Sequence, residues 1–290
     1  MELRRRFAFR GNAAAFGGRI VRPEDVVLEM PGASSLGIVG GRSVSNISVT
    51  PKNFKDFVTF KSASTFAEGL FDDLKGLIAL SNHTVAEDSL KSSTRVKAEI
   101  STLTVGRKKR LTAERLSAEM MSHSPTGSGE PPITLGDVAV TGVKIDGFEL
   151  VVTLETGIFN ENDTRAKLLT AADTPAFVKK YGQQHLFMKT ALAGQRAAPP
   201  TGRLVAGTAA GADTIYATIV KSIKWRSKRN PDATIDQHTV IVKDFGIIYF
   251  GELYITSASR RLTMMRLELG SDEGGSAGGP DVDVNGGWWP

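Results

Sequence analysis

Residues 247–269 alternate with period two on both sides of a short turn, and few other patterns restrict a fold so tightly. On the first arm Ile247, Tyr249, Gly251, Leu253 and Ile255 fall on one side, with Ile248, Phe250, Glu252, Tyr254 and Thr256 on the other. On the second, Leu262, Met264, Arg266 and Glu268 alternate with Arg261, Thr263, Met265, Leu267 and Leu269. Successive side chains of a strand point to opposite faces, so the pattern predicts a β-hairpin that reverses at residues 257–260. Large apolar residues occupy both of its faces. Such a hairpin is expected to be covered on both sides, by a second sheet and by either the chain's own C-terminal segment or another copy.

The rest of the chain points the same way. Glycines sit where alternating apolar segments end, as turns do in β proteins. Short strands are predicted at 17–21, 26–28, 36–39, 43–49 and 54–60, with a turn at Pro31 and Gly32. Residues 96–106 with 111–121, and 138–147 with 148–154, read as two similar hairpins in one sheet. Residues 111–121 fit a helix equally well, because Ala113, Glu114, Arg115, Leu116, Ala118 and Glu119 are good helix formers. Residues 66–80 combine helical spacing (Phe66, Leu70, Leu74, Leu77, Ile78) with Gly69 and Gly76, which oppose a helix. Two short helices are expected: one capped by Asn162 or Asp163 and running to Leu169, and one with Thr174 as cap and Pro175 at its first position, running to Tyr181 and ending at Gly182. Residues 122–132 and 194–211 read as loops. Strands are predicted at 214–225 and 234–243 around a turn at 226–232. The fold expected is mainly β, an antiparallel β-sandwich or distorted barrel with a few short helices. A single domain would cover 1–270, with its only internal boundary in 194–211, followed by a Gly-rich C-terminal tail at 271–290.

Composition narrows the chemistry. The chain has no cysteine, which removes disulfides, thiolate nucleophiles and zinc–thiolate sites. Its 41% hydrophobic and 23% charged residues suit a protein with a real core. No run of about 18 apolar residues is present to span a bilayer. The basic start around Arg4, Arg5 and Arg6 lacks the apolar run of a secretory signal. A cytoplasmic location is the default, although a mature secreted chain would look the same.

Catalytic motifs are absent from the local sequence. His83, His123, His185 and His238 are widely separated, and none lies in a metal-binding or nucleophile-orienting frame. The carboxylate pairs Asp72–Asp73 and Asp272–Glu273 read as solvated turn residues. The glycines at 37, 40 and 41 precede a strand, not a helix, so they read as a tight turn and not a phosphate loop. Asp281, Asp283 and Asn285, with Gly286, match the opening of a calcium loop, but the chain ends before position 12 could add its glutamate. Calcium is the one cofactor to which this pattern points. The competing reading is a short strand in which Val282 and Val284 pack inward. Sequons at Asn46, Asn82 and Asn162 matter only in a eukaryotic secretory setting.

Two features suggest partners. Arg107, Lys108, Lys109 and Arg110, together with Lys224, Trp225, Arg226, Lys228 and Arg229, form basic clusters at predicted turns, where they could contact phosphates with Trp225 stacked on a base. Arg260 and Arg261 form a smaller one. Trp288, Trp289 and Pro290 end the chain behind a glycine-rich stretch at 274–279, as an anchor on a tether would. The leading expectation is a non-enzymatic structural or interaction protein that self-associates through strand edges and this anchor. Binding of nucleic acid or another polyanion is the alternative, and a glycan-binding or glycan-cleaving β-sandwich is a third.

Overall fold

The computed structural model describes residues 6–23, 25–28, 30, 32–48, 57–71, 91–108, 110–124, 130–172, 174–181, 215–270 and 274–289. Residues 72–80, 125–129 and 194–211, His83, His185, Asn82, Arg4, Arg5, Lys109, Pro290 and both carboxylate pairs lie outside them.

The chain forms β1 (Arg6–Ala14), β2 (Gly17–Arg22), β3 (Val26–Leu28), β4 (Ala33–Ser35), β5 (Gly41–Ile47), β6 (Val58–Thr59), β7 (Ser62–Phe71), β8 (Ser92–Val105), β9 (Leu111–Ser124), β10 (Ile133–Leu135), β11 (Ala139–Thr141), β12 (Val143–Ile145) and β13 (Phe148–Leu154). Three short helices follow: α1 (Gly157–Glu161), α2 (Arg165–Ala172) and α3 (Pro175–Tyr181). The last strands are β14 (Ile215–Thr218), β15 (Val220–Trp225), β16 (Ala233–Asp236), β17 (Thr239–Val242), β18 (Gly246–Ile255), β19 (Ser259–Leu269), β20 (Gly274–Gly278) and β21 (Asp281–Trp289).

These strands make two antiparallel sheets packed together as a β-sandwich. The first sheet runs β16-β17-β18-β19-β20-β2-β3, with β14 on β18, β21 joining β19 to β1, and β4 on β1. The second runs β15-β13-β12-β9-β8-β7-β5, with β10 and β11 on β9 and β6 on β8. One buried cluster fills the space between them, including Phe16, Val96, Ile100, Leu116, Ile215, Phe250, Leu262, Val282 and Val284.

The predicted hairpin is β18–β19, pairing Ile247 with Glu268 through to Ile255 with Arg260. Its faces differ from the expectation. At the level of Gly251 and Met264 the pairing is interrupted: the Gly251 carbonyl accepts from the Ile219 amide (2.9 Å), and the Met264 amide donates to the Pro280 carbonyl (2.9 Å). Gly251 has φ +59°, a left-handed conformation that glycine adopts without steric cost. Across this level the inward set changes parity on both arms. Ile248, Phe250, Met265 and Leu267 face the core before it, and Leu253, Ile255 and Leu262 after it. Much of the apolar character that seemed to lie on two faces therefore reaches one core.

The β8–β9 hairpin repeats the device. Thr102 has φ +53°, its pair with Glu114 is missing, and the buried set shifts from Leu103, Val105, Leu111 and Ala113 to Val96, Ala98, Ile100, Leu116, Ala118 and Met120. Residues 111–121 are thus strand. Long-range pairing with β8 overrides their helix propensity, which is worth only tenths of a kcal/mol per residue. The second expected hairpin is β12–β13, closed by Asp146 and Gly147, and it lies in the same sheet.

Several boundaries move. Residues 214–225, read as one strand, divide at Ile219 between the two sheets. β14 pairs with β18 and β15 with β13, while the Ile219 carbonyl accepts from the Glu155 amide (2.7 Å). Residues 36–39 are not a strand: Gly37 bridges Gly40, and Ile38 and Val39 form the exposed tip. Residues 66–71 end β7. Thr164, not Asn162 or Asp163, caps α2 by accepting the Lys167 amide (3.2 Å), whereas Asn162 donates to the Ile158 carbonyl (2.8 Å) and closes α1. Thr174 caps α3 as expected (3.2 Å to the Phe177 amide).

The glycine-rich stretch is not a tether. It is β20, inserted between β19 and β2, where the backbones approach so closely that a Cβ on Gly275 (φ +146°) would lie 2.3 Å from the Arg19 carbonyl oxygen. β21 then lies between β19 and β1, so this segment belongs to the sandwich.

Candidate polyanion interface

Three hairpin turns and the connection from β15 to β16 meet at one end of the sandwich, and Asp146 ties them together. Asp146 starts the two-residue turn between β12 and β13, in a left-handed conformation (φ +51°) that aspartate tolerates better than most residues. Arg110, at the β8–β9 turn, clamps both of its carboxylate oxygens (2.8 and 2.9 Å). The same guanidinium donates to the Asp244 and Lys243 carbonyls at the β17–β18 turn (2.7 and 3.1 Å) and lies over the Phe245 ring (5.3 Å to the centroid). The hydrogen bond from Arg110 holds the Asp146 carboxyl below its usual range despite opposing burial. Buried Asn230 completes the junction, with long hydrogen bonds to the Ile145 carbonyl and the Asp146 carboxylate (3.4 Å each).

The two basic clusters, far apart in sequence, therefore share one end of the molecule, but their members have different roles. Arg110 is a pin between the sheets, not a free cation. Arg226 pairs with Glu149 (3.0 Å). Trp225 stands opposite Leu150 and packs against the core, while Lys224 stands opposite Val151 on the outward side. The expected alliance of Trp225 with outward cations for base stacking is thus not formed. Arg107 lies over Phe57 (5.0 Å) and Lys228 over Phe148 (6.0 Å). Lys108, Lys224, Lys228 and Arg229 are exposed and make no ion pair with the described residues. Sequence reading missed two more exposed cations here, Lys144 beside Asp146 and Lys243 at the β17–β18 turn. Each is a lone lysine among mixed residues, so only their placement reveals them. Asp146, Asp232 and Asp244 are the exposed carboxylates at these turns; Asp146 is taken up by Arg110 and the half-buried Glu149 by Arg226, and the cations outnumber all four.

Other expected sites fare differently. Asp281, Asp283 and Asn285 alternate along an extended strand instead of curling round an ion, with Val282 and Val284 buried between them. Asp281 accepts from Arg261 (2.9 Å) and Thr263 (2.7 Å), and Asp283 lies 3.6 Å from Arg10. Burial pushes the Asp283 carboxyl up even against Arg10 and Arg261. This is not the geometry of a calcium loop, and among the described residues no cluster of His, Asp or Glu could hold a metal. Arg260 is no surface cation: it is 1% exposed and donates to the Phe159 and Asn162 carbonyls (3.2 and 2.9 Å), pinning α1. Burial pulls its pKa down to about 10. The backbones of Trp288 and Trp289 pair with Phe7 and Arg6 inside the first sheet.

A polar cluster that sequence reading did not find covers the outer face of the β18–β19 hairpin. Arg266 lies over the Tyr249 ring (3.7 Å to the centroid), clamps Glu252 (2.6 and 2.9 Å) and reaches Glu268 (2.5 Å), which accepts the Tyr249 hydroxyl (3.1 Å). Burial opposes charge on Glu252, but the hydrogen bonds from Arg266, with His238 3.9 Å away, outweigh it and keep the carboxyl below its usual range. A guanidinium and carboxylates locked in this way are poor proton donors and acceptors, so the cluster braces the sheet. His123 is exposed on β9, far from it in sequence and in another sheet.

The sequence profile described as "Domain of unknown function (DUF8256)" matches residues 7–256. The chain belongs to this family. No curated protein and no solved structure matches it significantly. The matched stretch runs from β1 to the end of β18 and contains Asp146 and all the turns gathered round it. No helix among the described residues is long and apolar enough to cross a membrane.

Proposed function

We propose that this protein is a non-catalytic interaction module that binds a polyanion through the basic turns around Asp146. One observation carries the reading: the described cations of the clusters at 107–110 and 224–229 converge on a single junction, where Lys144 and Lys243 join them and the described carboxylates are too few to neutralise the sum. Convergence of separate turns is a stronger sign than a charge run, because a run is commonly just a solvated edge. Binding to immobilised heparin at low salt and elution as salt rises test it, since released counterions make such binding steeply salt-dependent. The variant K108Q/K228Q/R229Q/K243Q should elute at clearly lower salt with unchanged thermal unfolding. Failure of the native protein to bind at low salt would remove the reading.

Self-association is a second reading, favoured by a different surface. Ile38 and Val39 are 73% and 85% exposed on the Gly37–Gly40 turn, next to the edge strand β5 with its exposed Val44. Contact with a second copy would cover these apolar groups. Light scattering should report an oligomer for the native chain and a smaller species for I38S/V39S; a concentrated native protein that stays monomeric would exclude it.

A further inference from the structure

We infer that the polyanion is a double-stranded nucleic acid, held by its phosphates and not by its bases; this rests on the polyanion reading above. The deciding feature is what the aromatic rings at the basic end are doing. Proteins that hold single strands combine cations with open aromatic faces on which unpaired bases stack. Here the rings are already occupied. Arg107 covers Phe57, Lys228 covers Phe148 and Arg110 covers Phe245, while Trp225 is turned against the core. Phe57 and Phe245 are buried in addition. A single strand would find charge at this end but no stacking platform among the described residues.

The cations also stand on firm supports. The β12–β13 turn is two residues long, Asn230 accepts the Asp232 amide (2.9 Å) while reaching Asp146, and the Lys243 amide donates to the Asp232 carbonyl (2.8 Å). Turns braced to one another present charges at fixed separations. A duplex presents a dense and regular lattice of phosphates, about one charge per 1.7 Å of axis, and releases more counterion per contact than a single strand does, about 0.9 against 0.7. With stacking removed, charge density decides, and the duplex has more of it. Contacts confined to phosphates carry no direct sequence information, so binding should be indifferent to sequence.

Fluorescence anisotropy with a short labelled DNA duplex, the matching RNA duplex and each separated DNA strand tests this on the full chain. At low salt both duplexes should bind about tenfold or more tightly than either strand, with a steeper salt dependence. Two duplexes of unrelated sequence should bind within about threefold of each other. K228Q/R229Q/K243Q should weaken duplex binding by about tenfold or more, and the lysine-for-arginine change R229K should largely retain it. Binding of one duplex type only would identify DNA or RNA as the form recognised. A single strand that binds as tightly as the duplex overturns the inference but leaves the polyanion reading standing, as does retention on heparin with no duplex binding. Absence of binding to duplex, strand and heparin alike removes both.

Discussion

The two long hairpins, β8–β9 and β18–β19, share a backbone device and differ in what their charges do. In each, one mid-strand residue is left-handed, the cross-strand pair at that level is missing, and both arms change which parity faces the core. On β18–β19 the outer charges close on themselves: Arg266, Glu252, Glu268 and Tyr249 satisfy one another, and Arg260 is buried under α1. On β8–β9 the outer face carries a more open lattice, Arg95 with Glu119 (2.5 Å), Lys97 with Asp137 (2.8 Å), and Arg115 with Glu99 and Asp137 (2.9 and 2.5 Å). Its tip projects Lys108, which makes no ion pair with the described residues. A charge becomes structural where the sheet supplies a partner across the ladder. It stays available where a turn holds it away from carboxylates, as at Lys108, whereas Arg110 near the same turn is taken up by Asp146.

Breaking the closed hairpin should be most damaging at Arg260. Arg260→Met leaves the Phe159 and Asn162 carbonyls without this donor, at about 1–3 kcal/mol each, so urea unfolding should show a loss of about 2–6 kcal/mol. A loss too small to measure would mean that α1 does not depend on this residue. Next comes the parity switch. Gly251→Val sets a branched side chain at positive φ, with its Cβ 2.7 Å from Ile219 Cγ1, and should cost about 2–4 kcal/mol.

Glu252→Gln should cost about 1–3 kcal/mol at neutral pH by weakening the clamp on Arg266. The Glu252 carboxyl titrates below its unfolded value of about 4.3, so its contribution is complete above that value and is lost as pH falls through the lower, folded one. The gap between native and variant stability should accordingly narrow below about pH 4; a gap that widens on acidification contradicts the assignment. On the open hairpin the effects shrink. Thr102→Gly relieves the left-handed conformation of a branched residue and should add about 0.5–1 kcal/mol, the reverse of the change at Gly251. Arg115→Met should alter stability by less than about 1 kcal/mol, because exposed pairs in a lattice are worth little singly. If Arg115 cost as much as Glu252, the contrast between the two hairpins would fail.

The architecture was legible where period two is strong, as at 247–269 and 96–105, because alternation directly encodes a half-buried strand. It was misleading where the period breaks. A switch of parity at Gly251 looks in sequence like apolar residues on two faces, and only the missing pair with Met264 shows that one core receives most of them. The glycines of β20 resembled a linker because nothing local distinguishes flexibility from close backbone approach. Of the candidate interface, the clusters at 107–110 and 224–229 were visible as charge runs, yet Arg110 as a pin, Trp225 as a ring packed against the core and the lone lysines 144 and 243 were not. Those roles depend on Asp146, whose importance comes from partners on other strands.

The pairing of β1 with β21 has a further consequence, for the order in which the chain assembles. Residues 6–14 lie against residues 281–289, so the first strand of the described fold has its longest ladder with the last. During synthesis β1 waits, with only the short β4 available to it among the strands made before β21, until residues 281–289 have been made. Contacts this distant in sequence are slow to form, because a large loop must close before they give any return. Folding of this sandwich should therefore be late and abrupt, and a chain shortened before residue 281 should leave β1 as an exposed edge that invites aggregation.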